Sequence, residues 1–356
     1  MTTVKLLGPP DYSAEEQQAL IDFVLSLKKS QIQGFLKGVD VSRYSGTKEE
    51  LRARIQEAID EGEITYAQVV EFLDSVAPWG KQHVFLYRGP QSDIQEWKDL
   101  HYVEGLLKRH RVGRLLNARL PMILPEKLTL SSVTHADGAL RVTAVQKREY
   151  RDRAPEHDEE KEVNGETIFL KAYKSHLTRT LAVFEWDLNA NVAMLQITQL
   201  QEDGDYEKLA EQLCRLVKPW LDIKQFSVVD LRPAIARLHE MEKDGHFETR
   251  SHVIDYKTLE GRQVSARSSS ARSSVSGEAA LDNAMDDIRK ITVGHLGNFY
   301  WLAGQKPGSG SNPGPGNSLI DDVHVIIVGA KSRINFPTPN TEENIRHVLQ
   351  RVRALS

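Results

Sequence analysis

The sequence predicts an α+β protein. It has an N-terminal helical domain, a helical linker, and an antiparallel β-sheet domain made of two pseudo-repeated halves, each with a covering helix. Three observations carry this expectation. Helix-start signatures recur through residues 13–76, the apolar period shortens from about 3.6 to about 2 from Leu128 onward, and the order strand, turn, amphipathic helix occurs twice.

In the first domain, residues 1–78, Ser13 with Glu16 forms a capping box ahead of Leu20, Phe23, Val24 and Leu27. Thr65 with Gln68 forms another ahead of Val69, Val70, Phe72, Leu73 and Val76. Between them, residues 30–59 read as two short helices joined by the turn Ser45-Gly46-Thr47-Lys48, where Thr47 and Glu50 stand at capping-box spacing. The second of these helices places Leu51, Ile55 and Ile59 on one face and Lys48, Arg52 and Arg54 off it. A helix N-terminus offers free amides and partial positive charge, so a lysine in the first turn points to a phosphate site.

Residues 79–125 form the bridging region. After Pro78-Trp79-Gly80, His83–Arg88 (HVFLYR) is strand-like, and Ser92–Leu120 turns helical around Ile94, Trp97 and Leu100. Within it, Leu106–Arg119 (LLKRHRVGRLLNAR) holds Lys108, Arg109, Arg111, Arg114 and Arg119 with no acid, and its leucines suggest one helix with a buried face and a basic face.

The sheet domain, residues 126–356, opens with Leu128–His135 and Ala139–Arg148 around Asp137-Gly138, a strong hairpin signal. Thr167–Lys174, Arg179–Asp187 and Val192–Leu200 extend the meander, which meets a helix at Tyr206–Leu221. The second half runs through Glu248–Tyr256, Arg262–Ala266, Phe299–Leu302, Val323–Val328 and Ser332–Phe336 to a helix at Thr341–Leu355. The charged run 151–165 is expected to be a mobile loop, and 266–278 and 304–317 are expected to be flexible loops without core-forming residues.

Bulk properties narrow the function. A chain of 356 residues with 27% charged and 40% hydrophobic residues has the composition of a globular protein, and its net charge of −4 confines any nucleic-acid surface to a local patch. Cys214, the only cysteine, excludes an internal disulfide and a cysteine zinc cluster and reads as a core residue. No signal peptide or membrane span is expected, which implies an intracellular location, the nucleus in a eukaryote and otherwise the cytoplasm.

Catalytic patterns are sparse. The chain has neither a GxxxxGK[ST] phosphate loop nor a GxSxG elbow, and His239, Glu242 and His246 miss the HExxH spacing and read as a surface cluster. Asp255-Tyr256-Lys257 loosely matches a D-x-K pattern, and with Asp321 it forms the alternative of a magnesium-dependent nuclease. No cofactor or resident metal is expected. The leading expectation is a non-enzymatic DNA-binding or chromatin-associated adaptor, with Lys48, Arg52, Lys81, Arg88, Lys108, Arg109, Arg111 and Arg114 holding duplex phosphates and the sheet domain docking a protein. A protein scaffold without DNA binding is the third alternative.

Two resemblances bear on this reading. The apolar helix with Ile32, Phe35 and Leu36, then Gly38, SGTKEEL and a second amphipathic helix resemble the SAP motif of DNA-binding proteins, which implies contact with double-stranded DNA through backbone amides and basic side chains. More broadly, the order of elements is similar to the centromere protein N family, with an N-terminal SAP-like or pyrin-like domain. The similarity extends to LKGVD, KEEL, GEIT, HVFLYRGP and INFPTPN leading into IRHVLQRVRAL. That resemblance implies a helical domain that binds a nucleosome, a basic groove on the adjacent DNA and a sheet domain that docks a sister subunit. Lys48 and Lys81 match basic positions of the family's DNA-facing surface. Glu15, Glu16 and Gln17 depart from its basic first helix, so the resemblance carries the architecture and a DNA-facing groove, not histone-variant recognition.

Overall fold

The structure is a computed structural model that describes residues 13–42, 46–92, 94–118, 124–200, 204–246, 248–303, 319 and 321–356. Its N-terminal part packs four helices: α1 (Ala14–Ser26), α2 (Lys29–Gly38), α3 (Lys48–Asp60) and α4 (Tyr66–Val76). The capping boxes of Ser13 and Glu16, Thr47 and Glu50, and Thr65 and Gln68 are all formed, each closing free amides at a helix start. Leu20, Val24, Ile32, Leu36, Leu51, Ile55 and Val69 fill the space between the helices.

After a 3₁₀ turn at Ala77–Trp79 come β1 (Gln82–Arg88), α5 (Ile94–Lys98), α6 (Leu100–Arg109), β2 (Thr129–Ala136), β3 (Ala139–Arg153), β4 (Glu159–Val163), β5 (Glu166–Leu170), β6 (Tyr173–Asp187), β7 (Val192–Thr198) and α7 (Tyr206–Val217). The chain continues through β8 (Ser227–Val228), α8 (Arg232–Lys243), β9 (Thr249–Thr258), β10 (Gln263–Arg267), α9 (Ala279–Ile291), β11 (Thr292–Trp301), β12 (Val323–Val328), β13 (Arg333–Phe336) and α10 (Glu342–Ala354). The fold is therefore α+β. An 11-stranded sheet runs in the order β10-β9-β11-β12-β13-β1-β7-β6-β3-β2, with β8 paired to β1, and its strand pairings are antiparallel. Among the described residues, no helix is long and apolar enough to cross a membrane.

β1 joins the two halves of the sheet, with β7 on one side and β13 on the other. This corrects the assignment of His83–Arg88 to a bridging region. Its side chains alternate between two cores, because successive residues of a strand point to opposite faces. Phe85 and Tyr87 join the core beneath α6 and α7, with Leu195, Ile197, Phe184 and Trp186. Val84 and Leu86 join the core beneath α8 and α10, with Val325, Ile327, Ile334 and Phe336. Each half is thus covered on a different face, and β1 is where the covered face changes. Burying a side chain such as Phe336 or Leu195 contributes roughly 1.5–3 kcal/mol, so both faces of β1 are strongly held.

The first half's other face receives the helical domain. Val145, Leu181 and Val183 pack there with Ala77, and Asp74 of α4 pairs with Arg179 of β6, both side chains only 6% exposed.

Several expectations change. Residues 151–165 are the end of β3, a 3₁₀ turn and β4, not a loop, because β3 pairs with β6 over its whole length and Arg153 closes the turn on Asp158. In 266–278, Ala266 and Val275 are buried in the second core and the serines bond within the segment, so this stretch does contribute to the core. Two further helices, α8 and α9, stand in the second half beyond the elements expected there. The segment 304–317 lies outside the described residues.

Candidate nucleic-acid interface

The cations picked out from the sequence lie in separate parts of the fold. At the start of α3, the Thr47 amide donates to Glu50 Oε2 at 2.6 Å and the Glu50 amide donates to Thr47 Oγ1 at 3.2 Å. A carboxylate of the chain itself therefore occupies the place where a phosphate would bind, with Glu49 beside it. Lys48 Nζ donates to the Leu25 carbonyl at 2.6 Å, and Arg52 pairs with Asp22. Both cations tie α3 to α1. This corrects the expectation of an open phosphate cradle there. Ser45 lies outside the described residues.

The end of α6 is different. The helix stops at Arg109, and the chain turns through His110 and Arg111 into a 3₁₀ turn at Gly113–Leu115, so 106–119 is not the single helix its leucines suggest. The Arg111 amide donates to the Lys108 carbonyl at 3.0 Å and the Val112 amide to the Leu107 carbonyl at 2.9 Å. These two bonds form a Schellman ending, which requires a left-handed residue at the position of Arg111. Its φ is +60°, where glycine is the usual occupant. Of the seven non-glycine residues with positive φ among those described, five are Asp or Asn, which tolerate that region; Arg111 and Ser332 are the others. The ending stops the helix while Val103, Leu107 and Leu115 hold the segment in the first core.

Lys108, Arg109, Arg111 and Arg114 are all exposed. Lys108 pairs with Glu104 at 2.6 Å, and the guanidinium groups of Arg109, Arg111 and Arg114 meet no partner among the described residues. Chain continuity keeps these four cations together on one turn. Arg119 lies outside the described residues.

The remaining cations are elsewhere. Lys81 and Arg88 flank β1 at opposite ends, separated by about 24 Å at ~3.4 Å per residue. The turn after α6 docks at Val133 of β2, four strand steps from β1, or roughly 19 Å at ~4.8 Å per step. The helical domain with Lys48 and Arg52 lies against the face opposite that core. The sheet therefore separates the eight cations into distinct places, and the single basic strip expected from the sequence is not formed.

The carboxylate alternative does not gather either. Asp255 and Lys257 share a face of β9, and Asp255 is level with Leu296 and through it with Val328, the last residue of β12. Asp321 precedes Val323, the first residue of β12, so at least ~17 Å of strand lies between them. Among the described residues, no group of three or more His, Cys, Asp or Glu is arranged to hold a metal ion. His239 is not a surface residue. It is 1% exposed and bonded through Nδ1 to Tyr256 Oη at 3.1 Å, and burial beside Arg289 pushes its pKa down to about 4. Glu242 accepts from the Ser251 amide at 2.8 Å and the Ser274 hydroxyl at 2.5 Å, which fastens the serine-rich segment to β9.

One surface escaped the sequence reading. The long strands β3 and β6 continue past the sheet as a two-stranded arm that carries the β4–β5 hairpin at its tip. Its turn is Asn164-Gly165, with φ of +54° and +81°, and this pair was the readable signal inside the charged run. Phe169 is 72% exposed and Tyr173 55% exposed, with Val163, Ile168 and Leu170 also open to solvent. No protein-family model and no curated protein sequence matches the chain.

Proposed function

We propose that this chain is a non-enzymatic adaptor, DNA-binding or chromatin-associated, which holds duplex phosphate backbone at the turn after α6 and docks a protein partner through its sheet domain. The observation that carries the first half is the placement of four exposed cations on a turn whose left-handed residue is an arginine. An arginine there costs backbone energy that glycine would not, and such local strain is retained at working sites. The turn presents guanidinium groups in several directions around a rigid helix end, which suits phosphates but not base edges.

Binding to a labelled duplex, titrated across salt concentration, tests this reading. Each neutralised phosphate releases counterions, so four contacts give a log–log slope near −3.6, from about −0.9 per contact. Replacing Lys108, Arg109, Arg111 and Arg114 together with glutamine is expected to weaken binding about a hundredfold or more at low salt and to flatten the slope. Duplex affinity that is equal in this variant and the parent would sink the proposal.

A further inference from the structure

The arm holds apolar surface that the fold leaves uncovered. A two-stranded hairpin alone is marginal in water, and a third strand or a packed face is needed to stabilise it. In β4–β5, Leu170 lies opposite Glu159, Phe169 opposite Glu160, Ile168 opposite Lys161, and Thr167 opposite Glu162. Alternation puts Val163, Ile168 and Leu170 on one face together with Glu159, Lys161 and Glu166, and Phe169 and Thr167 on the other with Glu160 and Glu162, where the hairpin supplies no cation. Across 155–170 the chain carries six carboxylates against one lysine, and of the six Asp158 is already paired with Arg153. β4 and β5 pair only with each other, so the outer edges of both are unpaired among the described residues, and β5 is the strand that carries Ile168, Phe169 and Leu170.

We infer that the outer edge of β5 receives an extended segment of a partner protein in which basic and apolar residues alternate. The inference rests on the protein-docking half of the proposed function and is independent of its nucleic-acid half. Added as a third strand, such a segment bonds through its main chain to β5 and lays its apolar side chains beside Ile168 and Leu170. Its cations then fall on the other face, against the Phe169 ring and toward Glu160 and Glu162 one strand away. A neutral or acidic strand gains the same main-chain bonds but leaves Glu160 and Glu162, whose face holds no cation of the hairpin, without compensation, so the charge pattern selects the occupant.

A fluorescent decapeptide of alternating lysine and valine, titrated into the full chain, tests this, with alternating glutamate–valine and lysine–serine peptides as controls. The lysine–valine peptide is expected to bind at least about tenfold tighter than either control, and Ile168→Ser with Leu170→Ser is expected to remove its advantage over the lysine–serine peptide. Glu160→Lys with Glu162→Lys, which leaves every apolar group of the arm in place, is expected to weaken the same peptide by about tenfold and to reduce its salt dependence. Equal binding of the three peptides, or binding unchanged in both variants, overturns the inference. So does a dimer in sedimentation that Phe169→Ser dissociates, since the occupant would then be a second copy. Duplex binding measured on the same variants is expected to be unchanged; its loss in the glutamine variant of the α6 turn alone concerns the other half of the reading.

Discussion

The start of α3 and the end of α6 look alike in sequence, each a helix terminus rich in lysine and arginine, yet the fold uses them in opposite ways. At α3 the cations are exposed but engaged within the helical domain, Lys48 on the Leu25 carbonyl and Arg52 on Asp22, and Glu50 closes the amides. At the end of α6 Lys108 is paired with Glu104, while the three arginines have no side-chain partner among the described residues, and one of them occupies a backbone conformation suited to glycine. The difference teaches that a cation's role follows from the groups the fold brings to it. A positive residue already paired to a carbonyl or carboxylate must give up that contact before it can hold a phosphate.

The contrast is sharpest for the cation most deeply paired. Asp74→Ala leaves Arg179 buried at the junction of the helical domain and the sheet with its carboxylate removed, and is expected to cost about 3–5 kcal/mol in denaturant unfolding. A loss under ~1 kcal/mol would mean that this pair behaves like an exposed one. Arg111→Gly relieves the left-handed strain and is expected to raise stability by up to about 1 kcal/mol, while duplex affinity falls severalfold. A glycine variant that loses stability would show that the Arg111 side chain works for the fold. The smallest effects are expected at α3. Lys48→Ala and Arg52→Ala are each expected to cost less than about 1 kcal/mol and to leave duplex affinity within about twofold. A drop comparable to that of the α6 variant would erase the distinction between the two ends.

Much of the local structure was legible. The three capping boxes and the Asp137-Gly138 hairpin depend on residues within a few positions of one another, and all of them formed. The Asn164-Gly165 turn was equally local but sat in a charged run, where composition argued for a loop; the pairing of β3 with β6 carried the strand structure outward instead. The helix break at Arg111 was hidden because the leucine spacing continues past it and the position expected to hold glycine holds arginine. The central place of β1 was hidden for another reason. Its partners are Asn335 and Ile197 opposite His83, more than a hundred residues away along the chain, and no local pattern encodes which distant strands will meet.

By itself the sequence determined where most helices and strands begin, the α+β class and the presence of several basic stretches, because capping, turn conformation and apolar period are set by neighbouring residues. The tertiary structure alone decided that β1 divides two cores, that α3's cations are engaged while the three arginines at the end of α6 meet no partner among the described residues, and that an acidic hairpin with an exposed phenylalanine extends beyond the sheet. Each of these outcomes depends on which remote groups come within contact distance, and only the folded chain brings them together.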